Sequence, residues 1–405
     1  MIRGGDVFDG ARMRRADVAI RGGRIAAVGA DLAVPARETL DAQGKLVTPG
    51  LVDLHTHVHP GATHWGIDPD PVAWYTGVTT WVDAGSAGAY TIDTLLAARH
   101  RVRVALLLHI SAVGLTGFMG ESRDLANCDP DLAAETLRRH PQIKGVKVRL
   151  DRHQVGAHGV EPLRRAVQAA GPQPVMVHIG APPPSIGDML ELLRPGDIIT
   201  HCASGLAAGR GALDPAAIRA YQGKILFDIG HGAGGFAFDV AQAQLDAGMA
   251  PHTISTDLHQ RCLHGPAFDL PTTMAKMLAL GMGLPEVLAA VTSNPARALG
   301  LDAGTLAPGA AADIAVFTVE EGSFPLADVH GQVRVGRMRL RNDLTLLAGK
   351  PLPPKLPEPP APWVPLTATQ REALARREAT VRDLLTTPLV GVEGVEEQFP
   401  RDQGT

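Results

Sequence analysis

Eight short apolar runs, each followed by a longer stretch of helical character, recur between residues 47 and about 257. The runs lie at 50–57, 78–84, 102–110, 143–150, 174–180, 197–202, 224–230 and 252–257. Helical candidates between them include 92–100, 130–139, 160–170, 185–193, 214–221 and 236–247. Strands that alternate with helices join through crossovers, and crossovers build parallel sheets. Eight such units in roughly 200 residues match the size of a (β/α)8, TIM-like barrel. A doubly wound sheet is the structural rival, but regular repeats without a dinucleotide fingerprint favour the barrel. Two further helices are expected at 271–281 and 285–299, the second containing Asn294-Pro295-Ala296.

The flanks differ in character. Residues 1–47 read as short strands, with Gly22-Gly23 between two apolar runs as a hairpin signal. Strand character returns over 304–347, and neither segment buries a core alone. They are expected to combine, as residues 1–47 and 304–350, into a small β-sandwich domain beside a barrel at 48–303. Residues 351–405 then form a proline-rich strap and a C-terminal helix. Eight prolines fall within 351–366 and favour an extended path. Thr369-Gln-Arg-Glu372 has the capping-box pattern and opens a helix to about 386, with Leu374, Val381, Leu384 and Leu385 on one side. That narrow stripe suits a helix that docks.

Of the 405 residues, 45% are hydrophobic and 20% charged, as in ordinary globular proteins. A formal net charge of −4 gives no electrostatic footprint for nucleic acid or for an anionic membrane. Cys128, Cys202 and Cys262 form no paired framework, which points to a reducing compartment. No apolar run approaches the 18 or so residues of a membrane span, and the N-terminus lacks a signal pattern. The cytoplasm is the expected location.

Polar residues gather where the strands end, which is where barrels build their sites. The first strand delivers Asp53, His55 and His57, alternate residues that share one side of an extended strand. The fourth delivers Lys147, and the fifth and sixth end in His178 and His201. The seventh ends in Gly230-His231-Gly232 and the eighth in Asp257. A single histidine at a strand end is commonly a satisfied core residue. Burying this whole set without an ion would be costly, and a metal centre offsets that cost.

These residues carry a resemblance. The pair His55-x-His57, with Lys147, His178, His201 and Asp257, resembles the binuclear amidohydrolase superfamily in order and spacing. Gly145-Val-Lys147-Val-Arg149, Val177-His178-Ile-Gly180, Thr200-His201-Cys202, Phe227-Asp-Ile-Gly-His231-Gly232 and Ser255-Thr-Asp257-Leu258-His259 look like its amidohydrolase/deacetylase branch. The resemblance spans about residues 1–347; the first strand is shorter than usual in the family and the tail has no counterpart. It implies two divalent ions, expected to be Zn2+, one held by His55, His57 and Asp257 and the other by His178 and His201. Lys147, carboxylated on its amine, would bridge them. A hydroxide between the ions would attack an amide or ester carbonyl, with Asp257 as general base and then acid. The implied substrate is a small acylated carboxylate, as for a deacetylase. The alternatives are ring opening of a cyclic amide, as in dihydroorotases and hydantoinases, and lactone hydrolysis. A metal-free scaffold on the same fold is the reading outside enzymology, and all six ligand positions are filled against it. Beyond the substrate, the partner expectation is further copies of the chain, with no nucleic acid and no membrane.

The remaining candidates have two readings each. Arg149 shares the face of Lys147, so it either clamps a substrate carboxylate or forms an ion pair at the rim. His231 is expected to donate to the substrate. Lys144, three residues from Lys147, falls on the opposite face and is expected to be exposed. His59 and His64 lie in the loop after the first strand, His109 suits a core histidine, and Cys202 suits packing. Asp53 is expected to orient the loop beneath the metals. Gly230-x-Gly232-x-Gly234-Gly235 is a weak signal for an anionic group.

Overall fold

The protein is seen in a computed structural model that describes residues 1–63, 65–117, 120–207, 213–356 and 366–386, with side chains described as far as 380. Five strands come first: β1 (Ile2–Phe8), β2 (Met13–Arg21), β3 (Arg24–Gly29), β4 (Leu40–Asp41) and β5 (Leu46–Pro49). Seven more follow: β6 (Leu51–Thr56), β7 (Val78–Ala84), β8 (Arg103–His109), β9 (Ile143–Leu150), β10 (Val175–Ile179), β11 (Ile198–Thr200) and β12 (Leu226–Asp228). They form one parallel sheet in which every strand neighbours the next in sequence. Val146, Val148, Val175, Val177 and Ile179 pack outward against Ala133, Leu137, Leu163 and Ala166 of the covering helices. Val52, Leu54, Val82, Leu107, Met176 and Ile198 form a second cluster from the same strands. Both faces are buried, which is why the strands read as unbroken apolar runs.

The eighth expected strand is an irregular segment. Residues 252–258 touch both edges of the sheet through single parallel bridges, Thr253 to Asp228 and Leu258 to Thr56. Two local facts prevent a regular ladder. The Thr256 amide donates to the Asp53 carboxylate rather than to backbone (2.9 Å), and Asp257 sits in the left-handed region at φ 47°. The segment nonetheless curls the sheet round on itself.

The helix expected at 285–299 is two helices, Leu284–Ala290 and Ser293–Ala298. Pro295 has no N–H to offer the carbonyl four residues earlier. That carbonyl, of Val291, accepts the Val52 amide at 2.8 Å instead, tying the first parallel strand to the last helices.

Strands β13 (Ile314–Ala327), β14 (Val333–Leu347) and β15 (Lys350–Pro351) return to the beginning of the chain. They join the first five in one sheet of order β15-β14-β13-β5-β1-β2-β3, with β4 beside β1. Gly22-Gly23 is the expected hairpin turn, with Arg21 opposite Arg24. Hydrogen bonding makes this a single eight-stranded sheet drawn from both expected segments. Ile2, Val7, Val18, Val47, Ile314 and Val316 cluster together. Phe8, Leu46, Ala315 and Phe317 pack into the same core as Trp81 and Met274 of the barrel side.

The tail lies on its own chain. Its capping box is formed two residues earlier than expected: the Gln370 amide donates to the Thr367 hydroxyl (3.2 Å) and the Thr367 amide to the Gln370 side chain (3.0 Å). The helix Ala368–Thr386 buries Leu374. The side chains of Val381, Leu384 and Leu385, and residues 357–365 of the proline-rich stretch, lie outside the described residues. Gln370 Nε2 donates to the carbonyls of Arg261 (2.8 Å) and Gly265 (3.1 Å), so the helix docks on the loop after residue 257. Among the described residues no helix is long and apolar enough to cross a membrane.

Candidate metal centre

A fault in strand β6 aims the first two histidines. Asp53 lies opposite Trp81 and Thr56 opposite Asp83, so three steps on β6 match two on β7. The extra residue is a bulge, and it shifts the phase of the strand. Val52 and Leu54 stay in the apolar cluster below, while His55 and His57 line a cavity of about 290 Å3 at the C-terminal ends of the strands. The strict alternation expected for Asp53, His55 and His57 is broken there. Asp53 instead holds Thr256 by its amide and its hydroxyl (2.6 Å), and so sets the position of Asp257.

Each imidazole is fixed by one ring nitrogen. The Thr200 hydroxyl donates to Asp228 (2.7 Å), which leaves its oxygen to accept from His55 Nδ1 at 2.8 Å. Asp228 also accepts from the hydroxyls of Thr253 and Ser255, at 2.7 Å each. His57 Nδ1 lies 2.9 Å from the Ser86 hydroxyl, and His201 Nδ1 donates to the Gly230 carbonyl at 2.6 Å. The opposite nitrogens of His55 and His57 are thereby presented together: each Nε2 lies close to one oxygen of Asp257, at 3.2 and 3.1 Å. Holding one imidazole nitrogen so that the other is available is how metal ligands are oriented. The ring of His201 lies 5.1 Å from that of His55 and 4.5 Å from that of His178. His178 Nε2 faces Asp151 at 3.3 Å.

Lys147 reaches the same point. Its Nζ is 3.0 Å from His55 Nε2 and 3.4 Å from Met176 Sδ. Burial pushes its amine down to about 7, against the pull of Asp257 and Asp228. Burial, with the Lys147 charge beside it, also drives His55 well below the usual histidine range, and burial beside His178 takes His201 down to about 3. Burial alone would raise the Asp257 carboxyl, but the surrounding imidazoles hold it well below the usual range. The result favours an anionic Asp257 carboxylate beside neutral His55 and His201, the kind of donor set a divalent cation takes. His55, His57 and Asp257 place a ligand atom each within 4.8 Å of one another.

The glycine run after β12 turns out to make room for this set. A Cβ on Gly232, at φ 50°, would stand 2.3 Å from Asp257 Oδ2, and one on Gly235 would stand 2.4 Å from His201 Nδ1. No larger residue fits beside either ligand.

Two sequence expectations change. His231 does not line the cavity. It is fully buried, stacks on Phe236 (4.9 Å) and places Nε2 2.7 Å from Nζ of Lys276, so no face is turned to a substrate. Arg149 does line the cavity, but its Nε and Nη2 fork onto Glu121 at 2.7 and 2.8 Å, and Gln154 accepts a further bond. The ion pair of its two readings is formed, on the cavity wall. His109 is a buried residue facing Glu121 (3.4 Å), as a core histidine should be. Lys144 is directed away, donating to the Pro141 carbonyl. His59 contacts Thr94, Cys202 lies at the edge of the core, and His64 falls outside the described residues. No role is assigned from sequence to Thr200, Ser86, Asp228 or Lys276, although Thr200 and Asp228 stand within the motifs that carry the resemblance. Asp68, Asp70 and His100 also gather closely, but the Lys355 ammonium pairs with Asp68 and lies 3.7 Å from Asp70.

A parallel sheet whose strand ends gather histidines, a lysine and an aspartate defines a metal-dependent hydrolase by class. Residues 237–336 match the model of the amidohydrolase family. The chain is 37% identical over 339 residues to a deacetylase of Agrobacterium fabrum, covering 80% of this chain and 83% of the relative. Its structure is similar to one titled an adenine deaminase, with TM-score 0.81, 33% identity and coverage of 86% and 98%. It is similarly close to one titled a dihydroorotase, with TM-score 0.80, 33% identity and coverage of 89% and 97%. The chain belongs to the amidohydrolase superfamily.

Proposed function

We propose that the protein hydrolyses an amide or ester bond of a small acylated carboxylate, as a deacetylase, with two divalent ions. The observation that carries this reading is the shared focus of His55 Nε2, His57 Nε2, Lys147 Nζ and the Asp257 carboxylate. His55, His57 and Asp257 would hold one ion and His178 and His201 the other, with zinc suited to this nitrogen-rich set. Lys147 in its carboxylated form would supply an anion to both, and its depressed basicity leaves an amine able to take up carbon dioxide. When bound, the ions acidify water and polarise the carbonyl under attack. Asp257 accepts the proton of the attacking water and delivers it to the leaving group. The Asp228–Thr200–His55 chain keeps the imidazole still while that happens. The similarity to the Agrobacterium deacetylase supports the choice of bond. Ring opening of a cyclic amide is the second reading, favoured by the similarity to the structure titled a dihydroorotase. The three cysteines are free thiols, which suits the reducing cytoplasm as its place.

Metal content tests the centre. Lys147→Ala should lose at least one of two ions per chain, whereas Lys144→Ala should bind both. A full complement in Lys147→Ala by elemental analysis would sink the assignment. Turnover of N-acetyl amino acids, acetylated 2-hydroxy acids, hydantoins and lactones by the metal-loaded enzyme then separates the two readings.

A further inference from the structure

A second cavity, of about 610 Å3, opens away from the metal centre, between the helices Asp70–Thr76 and Leu270–Ala279, the β13–β14 hairpin and the C-terminal helix. Its walls include Trp74, Tyr75, Phe268 and Phe324, with Arg339 and Arg377 among them. The charges of these two arginines are met differently. Arg339 pairs with Glu320 at 2.6 Å and lies 4.6 Å over the Phe324 ring. Arg377 has no carboxylate within ion-pair distance among the described residues. Its guanidinium lies 4.8 Å over the Tyr75 ring and donates from Nη1 to the Leu263 carbonyl at 2.9 Å. Nη2 of Arg377 and the hydroxyl of Tyr75 are both closed off from solvent without a hydrogen-bond partner among the described residues. The carboxylate of Asp269, also in the lining, is committed to the Thr272 amide at 2.8 Å.

An enclosed guanidinium with no counter-charge, beside an unmet hydroxyl donor, is costly to keep unless an acceptor completes it. Phe268 adds a second cost. It sits at φ 62°, a region few bulky residues adopt, and still leaves its side chain 39% exposed on the cavity wall. Two donors and four aromatic walls describe a ligand with an anionic head and an apolar body. The cavity has the volume of a small-molecule site.

We propose that this cavity is a second binding site, for an organic monocarboxylate with an aromatic or aliphatic body, whose carboxylate pairs with Arg377 and accepts from the Tyr75 hydroxyl once the two side chains rotate to open their enclosed donors to the cavity. One unpaired cation calls for one negative charge, and the aromatic walls account for the rest of the ligand.

Isothermal titration of the metal-loaded enzyme with benzoate, and with benzyl alcohol as the uncharged control, tests it. Benzoate should bind, and benzyl alcohol at least about tenfold more weakly, on the scale of a lost charge-assisted hydrogen bond. Arg377→Met should weaken benzoate by a similar factor and Tyr75→Phe by less, both with metal content and turnover unchanged. Should Arg377→Met fail to fold, Arg377→Lys and Tyr75→Phe still discriminate, because the first retains the charge and the second the ring. Benzoate affinity unchanged in Arg377→Met would place the binding in the catalytic cavity and overturn the proposal. Equal binding of benzyl alcohol would overturn it too. So would the failure of benzoate and cyclohexanecarboxylate to bind, accompanied by a dimer that disperses in Arg377→Met, since the occupant would then be a second copy of the chain.

Discussion

Thr200 stands between His55 and Asp228 and touches no reacting atom. Thr200→Val keeps the shape but leaves His55 Nδ1 without its acceptor. Losing such an orienting partner weakens metal affinity by roughly 10- to 100-fold, which competition with a chelator would measure. Asp257→Asn retains an oxygen for the metal but not the proton acceptor. Turnover should fall by on the order of 10²-fold, in kcat rather than KM. A variant with its metals and near wild-type kcat would assign the proton to another group. Titration offers a third check. Burial pushes both Lys147 and Lys276 down to about 7 in the fold, against about 10.4 when unfolded. The unfolded chain therefore binds more protons between those values, and the metal-free protein should gain stability as pH rises from about 7 to about 10. Lys276→Met should flatten part of that rise in denaturant midpoint, and an unchanged slope would mean that Lys276 is not held neutral.

At the level of elements, the loop 230–235 shows what a glycine run can be for. Gly232→Ala places a methyl on the Asp257 carboxylate and a side chain in the left-handed region. A stability loss of roughly 1–2 kcal/mol is expected from the backbone alone, together with loss of metal, read by denaturation and elemental analysis. Sequence spacing could suggest an anion site here but not the close approach, because His201 and Asp257 reach the loop from other strands. The ligands themselves were legible, since an ionisable residue closing an apolar run is conspicuous. Their supports were not: Thr200 meets His55 across 145 residues of sequence, and a threonine inside a strand has no distinguishing pattern. His231 misled for the same reason. Its partner Lys276 lies on a helix, where a lysine ordinarily reads as solvent-facing. The bulge in β6 left no trace in a run that alternates perfectly, and Pro295 signalled a break without revealing which amide would take the freed carbonyl.

For the molecule as a whole, the tail is a strap tied at three described points: Lys355 to Asp68, Gln370 to the loop carbonyls, and Arg377 to Leu263. Removing residues after Pro351 should lower Tm by about 2–5 °C, the range for a loss of a few kcal/mol in a large domain, while the metal stays. An unchanged Tm would mean the strap adds nothing. The sheet that unites both chain ends has a further consequence, for how the protein is made. Strand β5 ends at residue 49 and its partner β13 begins at 314, so the 264 residues from 50 to 313 must be synthesised between them. At roughly 5–20 residues per second, β5 waits on the order of 13–53 s with one edge unpaired. The Val52 amide waits almost as long for the Val291 carbonyl. On the ribosome, residues 2–49 are a half-built sheet until strands 314–351 have been made, and in that interval they are open to strand pairing with other chains and to capture by chaperones.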